Sequence, residues 1–291
     1  MKIAFYNFLT TLRRYKASSL LNIVGLTLAF TAFYIILVQV RWELTFNRAL
    51  PDSERIYLVA PVSPFGDEGF SVNSPRPDGE QLIAQSPEIE AGGCVRPWEW
   101  DRPVWIRRDG NLLRFQESFY EVSPGFVEAL NMQAVEGDLQ AITQPNSVAL
   151  SRSQAEHLQL RVGDPIWFGD KENLRPEVQK EVVALYEDFP ANSSFGHLVG
   201  LVDVGDQDID DPNHWNDCYF VRLHEGADPD AVARRWSELH ESLYRDYLER
   251  MAPIWGEEMT EEEMSDPRAC ALIPLEELYF DRHVAGMADA F

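Results

Sequence analysis

The residues best spaced for chemistry are a run of aspartates. Asp206, Asp208 and Asp210 alternate along the chain, and Asp217 stands at the twelfth position counted from Asp206. Carboxylates at positions 1, 3, 5 and 12 are how a calcium loop wraps its cation in oxygen ligands. The pattern is imperfect. Asp211 occupies the position where the sharp turn needs glycine, Asp217 replaces the bidentate glutamate, and no helical pattern flanks the run. A solvated acidic loop accounts for the same residues without a cation, so the expectation is no metal, with these four aspartates as the candidate ligands if there is one.

The other reactive residue types lack the spacing that their chemistry requires. His157, His197, His214, His224, His240 and His283 form no H-x-x-x-H or H-E-x-x-H pair, so surface or packing roles are expected rather than zinc ligation. Ser18-Ser19 and Ser193-Ser194 sit in no G-x-S-x-G elbow, and no G-x-x-x-x-G-K-[ST] loop is present to cradle a nucleotide. Cys94, Cys218 and Cys270 are odd in number and form no C-x-x-C, which excludes a disulfide framework and a thiolate zinc site. Cys94 has a choice of partners in an oxidising compartment, Cys218 or Cys270, although buried free thiols are the simpler expectation. Trp98, Trp100 and Trp105, between Pro97 and Pro103, read as an aromatic surface or as hairpin core, the latter preferred. Glu257, Glu258 and Glu261 to Glu263 read as a solvated acidic run. No catalytic residue, no enzyme activity and no cofactor are expected.

The element that must position everything else is Ser19 to Val40, which contains no charged residue. A helix of about 20 apolar residues crosses a bilayer core. The run is too long for the apolar core of a signal peptide and has no A-x-A site after it, so an uncleaved transmembrane helix is expected. Before it, residues 2–15 place Phe5, Phe8, Leu9 and Leu12 at helical spacing among polar and basic residues, the pattern of an interfacial helix. Lys2, Arg13, Arg14 and Lys16 precede the span. The excess of positive charge puts the N-terminus in the cytoplasm and the remainder outside the membrane. The first acidic residue is Glu43; from there on lie 20 of the 25 basic residues and all 48 acidic ones. So acidic a domain excludes nucleic acid and anionic lipid as its partners.

Beyond the span, strands are expected at Arg55 to Val59, Ile89 to Val95, Phe119 to Val122, Ser147 to Leu150, Ile166 to Phe168, Glu181 to Leu185, His197 to Val204, Tyr219 to Leu223 and Ala271 to Leu275. Val104 to Arg108 and Leu112 to Gln116 flank Asp109-Gly110-Asn111, a hairpin signal. Helices are expected over Asp78 to Ser86; from a Ser123 cap to Leu130; from a Ser151 capping box over Gln154 to Leu160; and over Asp228 to Met251, with Val232, Trp236, Leu239, Leu243 and Tyr247 on one face. Strands and helices do not strictly alternate, so the fold class is α+β.

Several stretches, in order, resemble a known family. Asn7-Phe8-Leu9 through Tyr15-Lys16 and Leu21 to Leu26 are similar to the start of MacB-like and FtsX-like ABC transporter permeases that carry a periplasmic core domain. Glu43 to Asn47 with Glu54-Arg55-Ile56-Tyr57, Pro87 to Glu90, Phe119 to Phe126, Gly137-Asp138, Ser147 to Ser151, Asp188 to Ser193 and Pro274 to Tyr279 follow in the family's order. Arg48, where an aromatic is usual, and Leu160-Arg161, in place of a Phe-Gly pair, depart from it.

The resemblance implies a cytoplasmic or interfacial helix over 1–18, a transmembrane helix over 19–40 and a periplasmic core domain over 41–291. It further implies that this domain is a porter-like lobe, about 41–99 and 213–291, with an inserted second lobe at about 100–212. It implies a permease subunit of an ABC-type transporter or mechanotransmission complex in a bacterial inner membrane. The partners would be the lipid bilayer, a separate ABC ATP-binding subunit, and a second copy or a paired permease. Such permeases have further membrane helices, so a truncated permease is the expectation. The alternative expectation is a single-pass anchored binding or scaffold domain without transport activity.

Overall fold

The computed structural model describes residues 6, 10, 14–63, 69–96, 103–116, 119–169, 179–206, 208–255, 259–260, 263–281 and 284–285. Most of the expected interfacial helix over 2–15, Trp98, Trp100 and most of the acidic run after Trp255 lie outside these residues. The chain divides into two units, residues 1–46 and residues 47–291.

The first unit is dominated by helix α1 (Lys16–Leu44), 29 residues long with no side chain buried. At a rise of about 1.5 Å per residue it is long enough to cross a bilayer core of roughly 30 Å, and its composition is apolar enough to do so. Within it the Thr27 hydroxyl donates to the Ile23 carbonyl at 2.7 Å.

The second unit is a mixed sheet with helices. In chain order come β1 (Ile56–Pro61), β2 (Phe70–Ser71), α2 (Arg76–Gln85), β3 (Ile89–Arg96), β4 (Pro103–Arg108), β5 (Asn111–Gln116), β6 (Tyr120–Val122) and α3 (Pro124–Ala129). They are followed by β7 (Ala134–Gly137), β8 (Ser147–Ser151), α4 (Arg152–Leu158), β9 (Pro165–Phe168), β10 (Gln179–Tyr186) and β11 (Gly200–Asp203). The last are β12 (Cys218–Leu223), α5 (Pro229–Trp255), β13 (Cys270–Pro274), α6 (Leu275–Leu278) and β14 (Val284–Ala285). A twelve-stranded sheet runs β13-β1-β12-β3-β6-β11-β8-β10-β9-β4-β5, with β7 paired to β10, and β14 pairs with β2. Most neighbours are antiparallel; β6 with β11 and β8 with β10 are parallel.

Strand alternation sorts this sheet into faces. On one face α2 and α5 cover Val59, Cys94, Tyr219 and Val221 with Leu82, Val232 and Trp236. On the other face Ile56, Leu58, Val95 and Phe220 meet Phe126 of α3 and Phe195. At the β4 end, α4 packs Ala155 and Leu158 on Val148, Leu150, Ile166 and Val182. The α3 contact is close because two glycines permit it: a Cβ on Gly93 would lie 2.0 Å from the Phe126 nitrogen. A Cβ on Gly125 would likewise lie 2.0 Å from the Gly92 carbonyl oxygen. Phe126 can therefore set its ring edge-on against Phe195 and Phe220.

The hairpin forms as expected, with Asp109 and Gly110 both at positive φ in a two-residue turn. Ser151 caps α4, its hydroxyl accepting from the Gln154 N–H, but the Ser151 N–H donates to the Val199 carbonyl at 2.9 Å instead of to the Gln154 side chain, so the reciprocal half of the capping box is not made. Two expectations are corrected. Ser123 does not cap α3; its hydroxyl accepts from the Cys94 N–H at 2.9 Å and ties α3 to β3 instead. The strand expected from His197 begins only at Gly200, because His197 and Leu198 turn to meet Tyr120 and the Tyr186 hydroxyl. In α5 the buried residues are Val232, Ala233, Trp236, His240, Leu248 and Ala252, while Leu243 and Tyr247 are only half-buried.

The three cysteines are free. Cys94 stands opposite Tyr219 while Cys218 stands opposite Val95, so their side chains leave the sheet on opposite faces. Burial pushes the Cys94 thiol up to about 12, which makes it inert toward oxidants.

Candidate functional site

Three residues past the end of α1, the chain is fixed by one side chain. Asn47 adopts a left-handed conformation, φ 61°, which asparagine tolerates better than other side-chain-bearing residues. It is 1% exposed. Its backbone N–H donates to the Asn192 carbonyl at 2.9 Å. Its side-chain oxygen accepts from the Ser194 N–H at 2.7 Å. Its side-chain nitrogen donates to the Leu275 carbonyl at 2.8 Å and to the Ser194 hydroxyl at 3.1 Å. One amide thus joins the segment that follows α1, the 190–195 turn and the first residue of α6. Around it, Ser53 donates to Glu276 at 2.8 Å and Arg48 pairs with Glu276 at 3.1 Å. Ser193 closes the 190–195 turn by donating to the Pro190 carbonyl. Sequence reasoning noted these stretches only as family likenesses. The signal it had in hand was an asparagine just past a helix end, a residue suited to a left-handed stop.

The candidate calcium ligands are arranged around an arginine. Arg96, at the end of β3, grips Asp217 with two nitrogens, Nε at 3.0 Å and Nη2 at 3.3 Å. Its Nη2 also reaches Asp208 at 3.2 Å, and Nη1 lies 3.5 Å from Glu121. Asp208 further meets His214 at 3.1 Å. Asp206 and Asp210 are exposed and stand outside this cluster. Thus Asp208 and Asp217 are brought together, but on a guanidinium, with both Asp217 oxygens used. Among the described residues no three acidic, histidine or cysteine side chains converge on a metal position. Burial raises the Asp217 pKa and Arg96 pulls it back; the ion pair offsets the cost of a fully enclosed carboxylate. Arg96 therefore locks β3, β6, β12 and the 204–217 loop together.

A second lock lies beneath α5. His240 is fully buried, its Nδ1 3.0 Å from Asp78 of α2 and its Nε2 3.4 Å from Asp266. Its ring stacks on Trp236 at 4.8 Å with a 10° tilt. Burial alone would lower the His240 pKa, but Asp78 and Asp266 outweigh it and hold it above the ordinary value. Arg268 reaches Asp266 at 2.8 Å and the Ser63 carbonyl at 3.1 Å, and Glu241 holds Ser265 and the Asp266 N–H. The chain ahead of β13 is thereby strapped to α5. Trp105, expected in a hairpin core, is largely buried there and donates to the Gly169 carbonyl at 2.7 Å.

Taken together these are joints and locks: buried hydrogen bonds and ion pairs linking segments distant in sequence. They belong to a mixed α/β domain carried behind one helix of membrane-crossing length. The chain belongs to the MacB-like periplasmic core domain family, whose profile matches residues 19–239. That is a transporter permease family and not an enzyme family. A domain of a putative permease protein from Porphyromonas gingivalis has the same fold, with TM-score 0.54 and 13% identity over 77% of this chain and 92% of that one. The periplasmic region of MacB from Actinobacillus actinomycetemcomitans aligns at TM-score 0.46 and 11% identity, covering 67% of this chain and 86% of that one. The extracellular domain of the noncanonic ABC-type transporter YknZ from Gram-positive bacteria aligns at 0.43 and 8%, covering 75% and 99%. No curated protein matches the sequence.

Proposed function

We propose that this chain is a permease subunit of an ABC-type transporter or mechanotransmission complex, whose ectodomain passes on a conformational change driven by a separate ATP-binding subunit. The observation that carries this reading is Asn47. Within the ectodomain this residue is hydrogen-bonded at once to the 190–195 turn and to α6. A joint that ties segments distant in sequence into one body suits an ectodomain that passes on a conformational change. The basic residues ahead of the span favour a cytoplasmic N-terminus and a periplasmic domain at the inner membrane. Within the domain we place a porter-like lobe at about 41–99 and 213–291 and an inserted lobe at about 100–212. The subunit acts beside a second copy or a paired permease.

The test is isolation of the tagged chain from membranes of the cells that produce it. An ATP-binding subunit is expected to co-isolate, and Asn47→Ala should keep that partner while lowering ectodomain-dependent stimulation of its ATPase. Wild-type chain that captures no ATP-binding subunit refutes the transport reading. A periplasmic reporter fused after Phe291 should be active; a silent one overturns the orientation.

A further inference from the structure

Half-buried Leu243 and Tyr247 of α5 line a groove against α2 that none of the joints uses. Beside them in its wall stand Ile209 and Pro212, and its volume is about 360 Å³. The volume falls in the range of binding clefts, about 300–1,000 Å³. The apolar surface continues past the groove: Tyr247 meets Trp255 edge-on at 6.2 Å, and Trp255 and Ile254 are 46% and 71% exposed. Arg250 lies 5.7 Å over the Tyr247 ring. Tyrosine, tryptophan and arginine gathered on an exposed helix end are the residue types that anchor interfaces.

The charge on the rim says what the occupant carries. Glu80, Asp210 and Asp246 line the groove against one cation, Arg250, which is already seated on Tyr247. Glu80 holds the wall in place, accepting from Tyr219 and Arg76. Asp246 and Asp210 are exposed and face solvent. The remainder of the domain is acidic as well, so an acidic partner is repelled and a basic one steered in. We infer that this groove docks a basic segment of a partner polypeptide: an aliphatic or aromatic side chain rests on Leu243 and Tyr247, and flanking lysines or arginines meet Asp246 and Asp210. The inference stands apart from the transport reading, since any anchored ectodomain with this groove would dock the same segment.

The test uses the full chain in neutral detergent and a fluorescein-labelled pentapeptide of alternating lysine and leucine, read by fluorescence anisotropy against empty micelles. Asp246→Lys should weaken binding about tenfold, as loss of a central contact does. Leu243→Asp should weaken it comparably, although it adds a negative charge and so would strengthen mere attraction to an acidic surface. Glu156→Lys, on exposed α4, should leave the affinity within about twofold, and a glutamate–leucine pentapeptide should not bind. Equal losses at Asp246 and Glu156, or undiminished binding to Leu243→Asp, reduce the groove to non-specific charge and overturn the inference. Asp246 is exposed, so its variant decides the matter even if Leu243→Asp fails to fold.

Discussion

Replacing Asn47 with alanine tests whether the joint is a rigid link. The substitution removes three side-chain hydrogen bonds, and two of the groups left behind are buried backbone polar groups, the Ser194 N–H and the Leu275 carbonyl. Each buried group without a partner costs about 1–3 kcal/mol. Alanine at φ 61° adds a penalty of roughly 1 kcal/mol for the left-handed backbone. Water that enters the opened site recovers part of this, so the expected loss is about 3–5 kcal/mol, among the larger effects of a single substitution. For a domain of this size each kcal/mol moves Tm by about 2–4 °C, so a fall of roughly 10 °C is expected. Scanning calorimetry of the full chain in detergent measures it. Asn47→Gly separates the two causes: it loses the same hydrogen bonds but not the backbone conformation, and should recover about 1 kcal/mol relative to alanine. Asn47→Asp keeps the acceptor for the Ser194 N–H but loses both donors and encloses a carboxylate against the Leu275 carbonyl, so at neutral pH it should be no more stable than alanine. A Tm shift below about 2 °C for Asn47→Ala would show that the amide carries no load, and the rigid-link reasoning fails.

Three further outcomes follow from the locks. Arg96→Met strands the enclosed Asp217 carboxylate and should cost about 3–5 kcal/mol at neutral pH. Because the remedy is protonation of Asp217, that deficit should shrink as pH falls toward the ordinary aspartate value of about 4; a deficit independent of pH, in paired denaturation curves, refutes the ion-pair account. His240 has its folded-state pKa raised by Asp78 and Asp266, so its contribution is complete below about 6.5 and is lost as pH rises through the folded value. His240→Asn should therefore flatten the alkaline side of the stability profile above about pH 6.5, and an unchanged slope counts against the buried pair. Finally, Arg96 already occupies Asp208 and Asp217, so neither chelator nor millimolar calcium should move Tm by more than about 1 °C; a calcium-dependent rise would restore a cation site.

Features encoded within a few residues were legible in the sequence. An unbroken apolar run fixes α1 whatever surrounds it. Asp109-Gly110 supplies the two positive φ angles of a hairpin turn, and Ser151 caps the helix that follows it. These work because their partners lie within a turn of chain. The face of α5 was only half legible. Periodicity marks an apolar stripe, but the helix buries His240 between Asp78 and Asp266 and leaves Leu243 and Tyr247 half-buried, and an apolar count has no means of scoring that. The rest was decided by the tertiary fold alone. Arg96 and Asp217 are separated by 121 residues, and Asn47 and Leu275 by 228. A hydrogen bond gains its full value only where burial removes the competing water. No spacing along one sequence shows which distant group will be enclosed beside which, so the meeting of Asp208 and Asp217 on Arg96 is visible only in the fold.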